Sequence, residues 1–369
     1  MIYLVPVNMI ISALPQLIDT GDATSWRPEL LDAGQLPDLF ANCQVTAVHD
    51  RLDDQLEELI SAREPGRVRT PGEGAAAKAE VLGGRAPVDY GTWAFYPWTG
   101  RLVHVLPRDE FRFVRTDRNR NKITREEQET LLGKRVAVVG LSVGNSAAVT
   151  AAMEGVGGAF RLADFDRLGL SNLNRLRTGV HELGVEKTVL CARQLFELDP
   201  YLDVEIWRDG LTGENLAGFL DGADVVVEEC DTAWVKIAVR EQARERGIPV
   251  LMDTNDRGLL DVERFDLEPD RPLLHGRVGD VTAADVADLD RAEMVRLMVQ
   301  MVDGTRISPA LTQAMTEIGR TLSSWPQLAS GTMLGGALVT DAARRILLGK
   351  PQPSGRYYVD LERLVGGAT

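Results

Sequence analysis

Residues 135–157 read RVAVVGLSVGNSAAVTAAMEGVG. The run Val136–Val139 is apolar and mostly β-branched without alternation, the pattern of a strand buried on both faces. It stops at Gly140, and a long run of small residues suited to a helix starts a few positions later. A strand, a glycine turn and a helix in that order present unpaired backbone N–H groups and a positive helix end to a phosphate. The glycine positions of G-x-G-x-x-G are filled here by Gly140, Ser142 and Asn145, with Gly144 between them. Glycine is required where φ is positive or a ligand touches the backbone. Ser is small and Asn tolerates the left-handed conformation, so the turn keeps a nucleotide-binding outline. A tight strand–helix turn without a ligand is the alternative.

Outward from this stretch, strand and helix alternate. Candidate strands are Arg135–Val139, Phe160–Ala163, Val204–Ile206, Asp224–Glu228 and Pro249–Met252, with helices such as Lys187–Leu198 and Ala233–Arg246 between them. That alternation predicts an α/β, Rossmann-like, mainly parallel sheet with helices on both faces. After about residue 280 the chain becomes helical and closes on the strand-like GRYYVDL. The first 115 residues differ and read as a small α+β accessory domain. There RLDDQLEELISAR (51–63) has helical spacing, EPGRVRTPGEGAAAKAEVLGGRAP (64–87) reads as a mobile loop, and Tyr90–Leu106 suggests a hairpin around Pro-Trp-Thr-Gly.

The chain of 369 residues is long enough for one large and one small domain, and its net charge is −14. The acidic balance argues against a general nucleic-acid or membrane-surface binder. Cys43, Cys191 and Cys230 are too few and scattered for a disulfide framework, and no C-x-x-C pair suggests structural zinc. His49, His104, His181 and His275 show no metal spacing and read as structural. The opening MIYLVPVNMIISALP lacks a basic lead and is too short to span a bilayer, so it reads as a strand or core segment of a cytoplasmic protein.

The segment after the second strand, RLADFDRLGLSNLNRLR, narrows the ligand. Asp164 lies 24 residues beyond Gly140, where an acid accepts hydrogen bonds from ribose hydroxyls of either NAD or ATP. Asn172, Asn174, Arg175 and Arg177 follow, and Lys187 begins a helix. A forked guanidinium beside a point charge suits a polyphosphate. Asp231 falls at the carboxyl edge of the fourth strand, where a carboxylate can hold Mg²⁺ against phosphate oxygens.

The order G-x-x-x-G-N, D-F-D, S-N-L-N-R, Lys187 and C-D-T resembles the ThiF/MoeB-type adenylyltransferases, a family that includes the ubiquitin-activating enzymes. The likeness covers residues 116–369, since GALVTDAARRILLGKPQPSG and RYYVDL resemble the family's closing helix and strand. The chain also resembles a subgroup whose members are sometimes fused to a nitroreductase-like flavin domain. The resemblance implies that ATP and Mg²⁺ are bound. Gly140 and Gly144 would line the loop together with Ser142 and Asn145. Asp164 would hold the ribose, Asn174, Arg175 and Lys187 the phosphates, and Asp231 the metal. RTDRNRNKITREEQETL occupies the place of the family's arginine-bearing helix, so Arg118 or Arg120 would reach ATP, often from the other subunit of a homodimer. Departures are Ser142 and Asn145 in place of glycines, and Leu176 where glutamine often follows Asn-Arg.

A carboxylate is already ionised at neutral pH and attacks an α-phosphate without a general base; alignment and charge neutralisation are what it needs. The expected reaction is adenylation of a carboxylate, on a peptide or small-protein C-terminus or a small acid, with release of pyrophosphate. No cysteine follows Cys230, so neither the relatives' downstream thioester cysteine nor their zinc-binding cysteine pairs are expected. A catalytically weak scaffold subunit and an NAD(P)-dependent oxidoreductase remain as alternatives, and an RNA-modifying role is disfavoured by the charge.

Overall fold

The computed structural model describes residues 24–286 and 288–366, so MIYLVPVNMIISALP lies outside the described residues. The chain divides into two compact units, the first ending at Asp117 and the second beginning at Arg118.

In the first unit β1 (Glu29–Leu31), β2 (Ala47–Asp50), β3 (Thr92–Tyr96) and β4 (Arg101–Val105) form a sheet of order β1-β3-β4-β2. β3 and β4 are the antiparallel hairpin expected around Pro-Trp-Thr-Gly. Helix α1 (Leu36–Asn42) contributes Leu39 to a core with Trp93, Phe95 and Leu102, while α2 (Leu52–Arg63) buries Leu52, Leu56 and Leu59. The expected mobile loop at 64–87 is mostly a helix, α3 (Pro71–Leu82). Its signals are local. Thr70 and Glu73 make a capping box, Pro71 opens the first turn, alanines fill the interior, and Gly83 ends it at φ 59°. Glycine and proline content alone concealed that helix. α4 (Arg108–Arg115) closes the unit. His104 is structural as read: buried, stacked on Trp93 at 4.1 Å, with Nε2 2.7 Å from the Tyr90 carbonyl.

The second unit begins with α5 (Arg125–Leu132) and is built on a seven-stranded sheet of order β11-β10-β9-β8-β5-β6-β7. The strands are β5 (Arg135–Val139), β6 (Ala159–Ala163), β7 (Asp203–Trp207), β8 (Val225–Glu228), β9 (Val250–Thr254), β10 (Leu259–Glu263) and β11 (Gly355–Tyr358). β5 to β9 are parallel, and β10 and β11 extend the sheet antiparallel beyond β9. The β10 strand is additional to the expected set. Strand order reverses between β5 and β8, the crevice where ligands of open α/β sheets sit.

Packing explains the small-residue stretch that follows Gly140. Helix α6 (Gly144–Glu154) buries Ala147, Ala148, Ala151 and Ala152, and α7 (Lys187–Leu198) packs beside it. After α8 (Leu216–Leu220) and α9 (Ala233–Arg246) come the short α10 (Ala283–Val286), then α11 (Arg291–Val302), α12 (Pro309–Glu317), α13 (Ala329–Leu347) and α14 (Leu361–Val365). α13 presses onto α6: a Cβ at Gly336 would lie 2.5 Å from Ser146 Oγ, so the two backbones meet at glycine distance. Among the described residues no helix is long and apolar enough to cross a membrane.

Candidate active site

The turn after β5 is shaped by one glycine. Gly140 has φ 85°, and a Cβ there would come within 2.5 Å of the Glu229 carbonyl after β8. Any side chain would push the two strand ends apart. Ser142 and Asn145 have no positive φ. Asn145 lies in the first turn of α6, 4% exposed, and donates from Nδ2 to Gln194 Oε1 on α7 at 2.8 Å. The left-handed tolerance read for Asn145 is therefore not called on: its side chain ties two helices together. Gly144 is also helical, and a Cβ there would lie 2.8 Å from Val138 Cγ1.

Asp164 stands at the end of β6 and organises the turn. Its Oδ2 accepts from the Leu141 N–H at 2.6 Å and its Oδ1 from the Asp166 N–H at 2.8 Å. Burial raises its pKa, while Lys187 and these two N–H groups pull the other way. Lys187, 5% exposed at the start of α7, pairs with Asp166 Oδ2 at 2.6 Å. Asp166, the second acid of D-F-D, thus aims the lysine that sequence reasoning had singled out alone.

Ser142 has a more specific role than a tolerated substitution. Its Oγ accepts from Arg175 Nε at 3.1 Å and Nη2 at 2.9 Å, laying the guanidinium across the loop. The Asn174 Oδ1 accepts from Arg175 Nη1 at 2.8 Å, while Asn174 Nδ2 donates to the Gln327 carbonyl at 2.8 Å. Asn174 is here a brace for Arg175 and a tie to the segment before α13. Burial draws Arg175 below its ordinary pKa, opposed by the nearby charge of Asp231. The charge of Asp231 is thus felt at Arg175.

Asp231 is exposed. Among the described residues no group of three or more His, Cys, Asp or Glu side chains is gathered to hold a metal. A single exposed carboxylate fits an ion that takes its remaining ligands from water and phosphate, as Mg²⁺ does, rather than a resident structural metal.

Arg118 and Arg120 are not brought to this site within one chain. Asn119 between them donates from Nδ2 to the Glu154 carbonyl at 3.0 Å, and Gln128 Nε2 donates to the Gly155 carbonyl at 2.8 Å. Both contacts are at the C-terminal end of α6. An 11-residue helix is about 16 Å long, so the segment is anchored a full helix length from the loop. The segment also differs from the expected arginine-bearing helix: Arg118 sits in a 3-10 turn (Asp117–Asn119), and α5 begins only at Arg125.

The sequence reading passed over a carboxyl pair beside the loop. Glu229 follows β8 and runs under Gly144; its Oε1 accepts from the Asp253 N–H at 2.7 Å. Asp253, at the end of β9, is 4% exposed, and neither carboxyl oxygen has a cationic or N–H partner. Burial raises the Asp253 pKa to about 7 and, with the charge of Asp253, lifts Glu229 well above the carboxylate range. Both acids are thus shifted towards their protonated forms near neutral pH. The visible signals were the acidic pair ending DVVVEE and the lone Asp in VLMDT. The thiols are inert: burial pushes Cys191 up to about 12, and Cys230 well above its ordinary value.

Comparison with known proteins agrees with this layout. An uncharacterized protein of Mycobacterium tuberculosis, MT1398, is 48% identical over 269 residues, covering 73% of this chain and 38% of that protein. The tRNA threonylcarbamoyladenosine dehydratase of Bacillus subtilis is 31% identical over 153 residues, 41% of this chain and 60% of the relative. The molybdopterin-synthase adenylyltransferase of Haemophilus influenzae is 28% identical over 147 residues, 39% of this chain and 60% of the relative. The chain thus matches less than two thirds of the length of each of these relatives. Residues 116–356 match the ThiF family over most of the second unit, and the chain belongs to that family.

Proposed function

We propose that the chain is an ATP-dependent adenylyltransferase acting on a carboxylate. The observation that carries this reading is the Arg175 guanidinium held by Ser142 over the Gly140 turn, with Lys187 and Asp164 beside it. A cationic clamp over a phosphate cradle suits a polyphosphate, and the ThiF family match favours ATP over the dinucleotide of the oxidoreductase alternative.

In this reading the free N–H groups of the turn and the start of α6 receive phosphate, and Asp164 accepts from the ribose hydroxyls. Arg175 and Lys187 neutralise charge as a substrate carboxylate oxygen bonds to the α-phosphorus. The bond from that phosphorus to the bridging oxygen breaks, giving acyl adenylate and pyrophosphate. Mg²⁺, when bound at Asp231, would screen phosphate charge and hold the leaving pyrophosphate in line. Asn174 keeps Arg175 in register. With Cys191 and Cys230 inert, the acyl group passes to an external nucleophile rather than to either thiol.

The same reading assigns Arg118 or Arg120 to the neighbouring subunit's nucleotide, in a homodimer, because neither reaches the site of its own chain. Such an enzyme works in the cytoplasm, where ATP is supplied. The substrate is a small acid or the C-terminus of a peptide or small protein. The Bacillus subtilis relative acts, by its name, on a tRNA nucleoside, and the net charge of −14 argues against RNA as the partner here. The test is calorimetric titration with Mg-ATP, AMP and NAD. Mg-ATP binding in preference to NAD is expected, and NAD binding without ATP binding overturns the proposal.

A further inference from the structure

Beside Asp231 the second unit contains a cavity of about 830 Å³ to which the nucleotide cradle contributes little. Its two sides differ in chemistry. The strand ends supply polar groups, Glu229 and Asp231 among them, whereas α11, α12 and α13 supply Met298, Leu311, Met315 and Leu334. Methionine thioethers are flexible and polarisable and adapt to irregular apolar shapes. The volume falls within the range of roughly 300–1,000 Å³ typical of small-molecule sites, which are walled by apolar side chains and oriented by a few polar ones. Asp231 is shared: it lines the cavity and its charge acts on Arg175. A carboxylate held at Arg175 has the chamber that Asp231 lines available for its body.

A slender tail ending in glycine would leave these walls in contact with water. Resting on the adenylation reading above, we propose that the cavity holds the acyl group and selects a carboxylic acid with a bulky apolar body over a glycine-ended tail. The helices that build the apolar side fall in the region after residue 280, where sequence reading found helix and no chemistry; their role is to enclose the substrate.

The test uses the full chain, with octanoate and N-acetyl-glycylglycine as probes, titrated calorimetrically without nucleotide. Octanoate is expected to bind at least tenfold more tightly than the peptide. Met298→Trp and Leu311→Trp each fill part of the chamber, and each should weaken octanoate at least fivefold while Mg-ATP binding stays within twofold. Two sites on different helices guard against one variant failing to fold. Equal or tighter binding of the peptide overturns the proposal, as does unchanged octanoate binding in the folded variants. Octanoate selectivity without any Mg-ATP binding supports the chamber's preference and overturns the adenylation reading instead, so the two failures are distinguishable.

Discussion

Glu228 and Glu229 are neighbours in the chain, and strand alternation sends them to opposite faces of the sheet. Glu228 faces α9, where Lys236 Nζ lies 3.1 Å and Arg240 Nη1 2.6 Å from its carboxylate. Burial pushes its pKa up, but the two cations outweigh burial and the carboxyl ends below its ordinary value. Arg240, fully buried, continues to Glu263 at 2.5 Å. Glu229 turns the other way, beneath α6, and meets a second acid instead of a cation. One face is closed with matched charge and acts as scaffold. The other keeps unmatched groups, and the cavity reaches both, with Glu229 and Asp253 as well as Lys236 in its lining. Scaffold networks such as Glu228–Arg240–Glu263 also shift carboxyls, but an acid pair without a matching cation at the carboxyl ends of the strands marks a candidate ligand site.

Breaking the matched face should cost most. Arg240→Met leaves Glu228 and Glu263 buried with one fewer cation, and the expected loss is roughly 3–5 kcal/mol in urea unfolding. A loss below about 1 kcal/mol would show that the network is not what holds α9 to the sheet.

The unmatched face should behave in the opposite sense. The Asp253 pKa is raised from 3.8 to about 7, so the folded state keeps a proton that the unfolded chain gives up. Its contribution is fully present below pH 3.8 and is lost as pH rises towards 7, after which stability levels off. Asp253→Asn removes this slope. The variant should be near wild type at acidic pH and more stable above pH 7, by on the order of 4 kcal/mol. Parallel pH profiles for the two proteins would mean that burial does not raise the Asp253 pKa in the folded state.

Smaller effects separate the clamp from the helix tie. Ser142→Gly restores the usual glycine but removes both hydrogen bonds to Arg175, and Mg-ATP affinity should fall about tenfold. Tighter binding in that variant would show that the hydroxyl hinders rather than positions. Asn145→Ala loses the bond to Gln194 and the interaction with the Cys191 thiol, and should cost about 1 kcal/mol of stability, with nucleotide affinity within twofold.

Much of the second unit was legible because its strands are continuous apolar runs and its helices are amphipathic. Arg135–Val139, Lys187–Leu198 and Ala233–Arg246 have the observed bounds. Local signals failed where composition and geometry disagree: α3 is glycine- and proline-rich at its start yet well capped, and β10 is a fully buried strand next to a turn. At the site, the residue types Asp164, Arg175, Lys187 and Asp231 were readable from order alone. Their partners were not. Nothing in a linear pattern states that Ser142 meets Arg175 across 33 positions or that Glu229 meets Asp253 across 24. Asn145 misled for a related reason, because a position in a motif does not disclose whether its backbone is already helical.

The central claim is that the clamp over the Gly140 turn exists for a polyphosphate, and Arg175→Ala tests it directly. Titrating wild type and variant with Mg-ATP and with AMP should show Mg-ATP weakened at least tenfold more than AMP, since AMP lacks most of the phosphate charge that Arg175 is assigned to neutralise. Equal losses for both nucleotides, or no loss for either, would contradict the account.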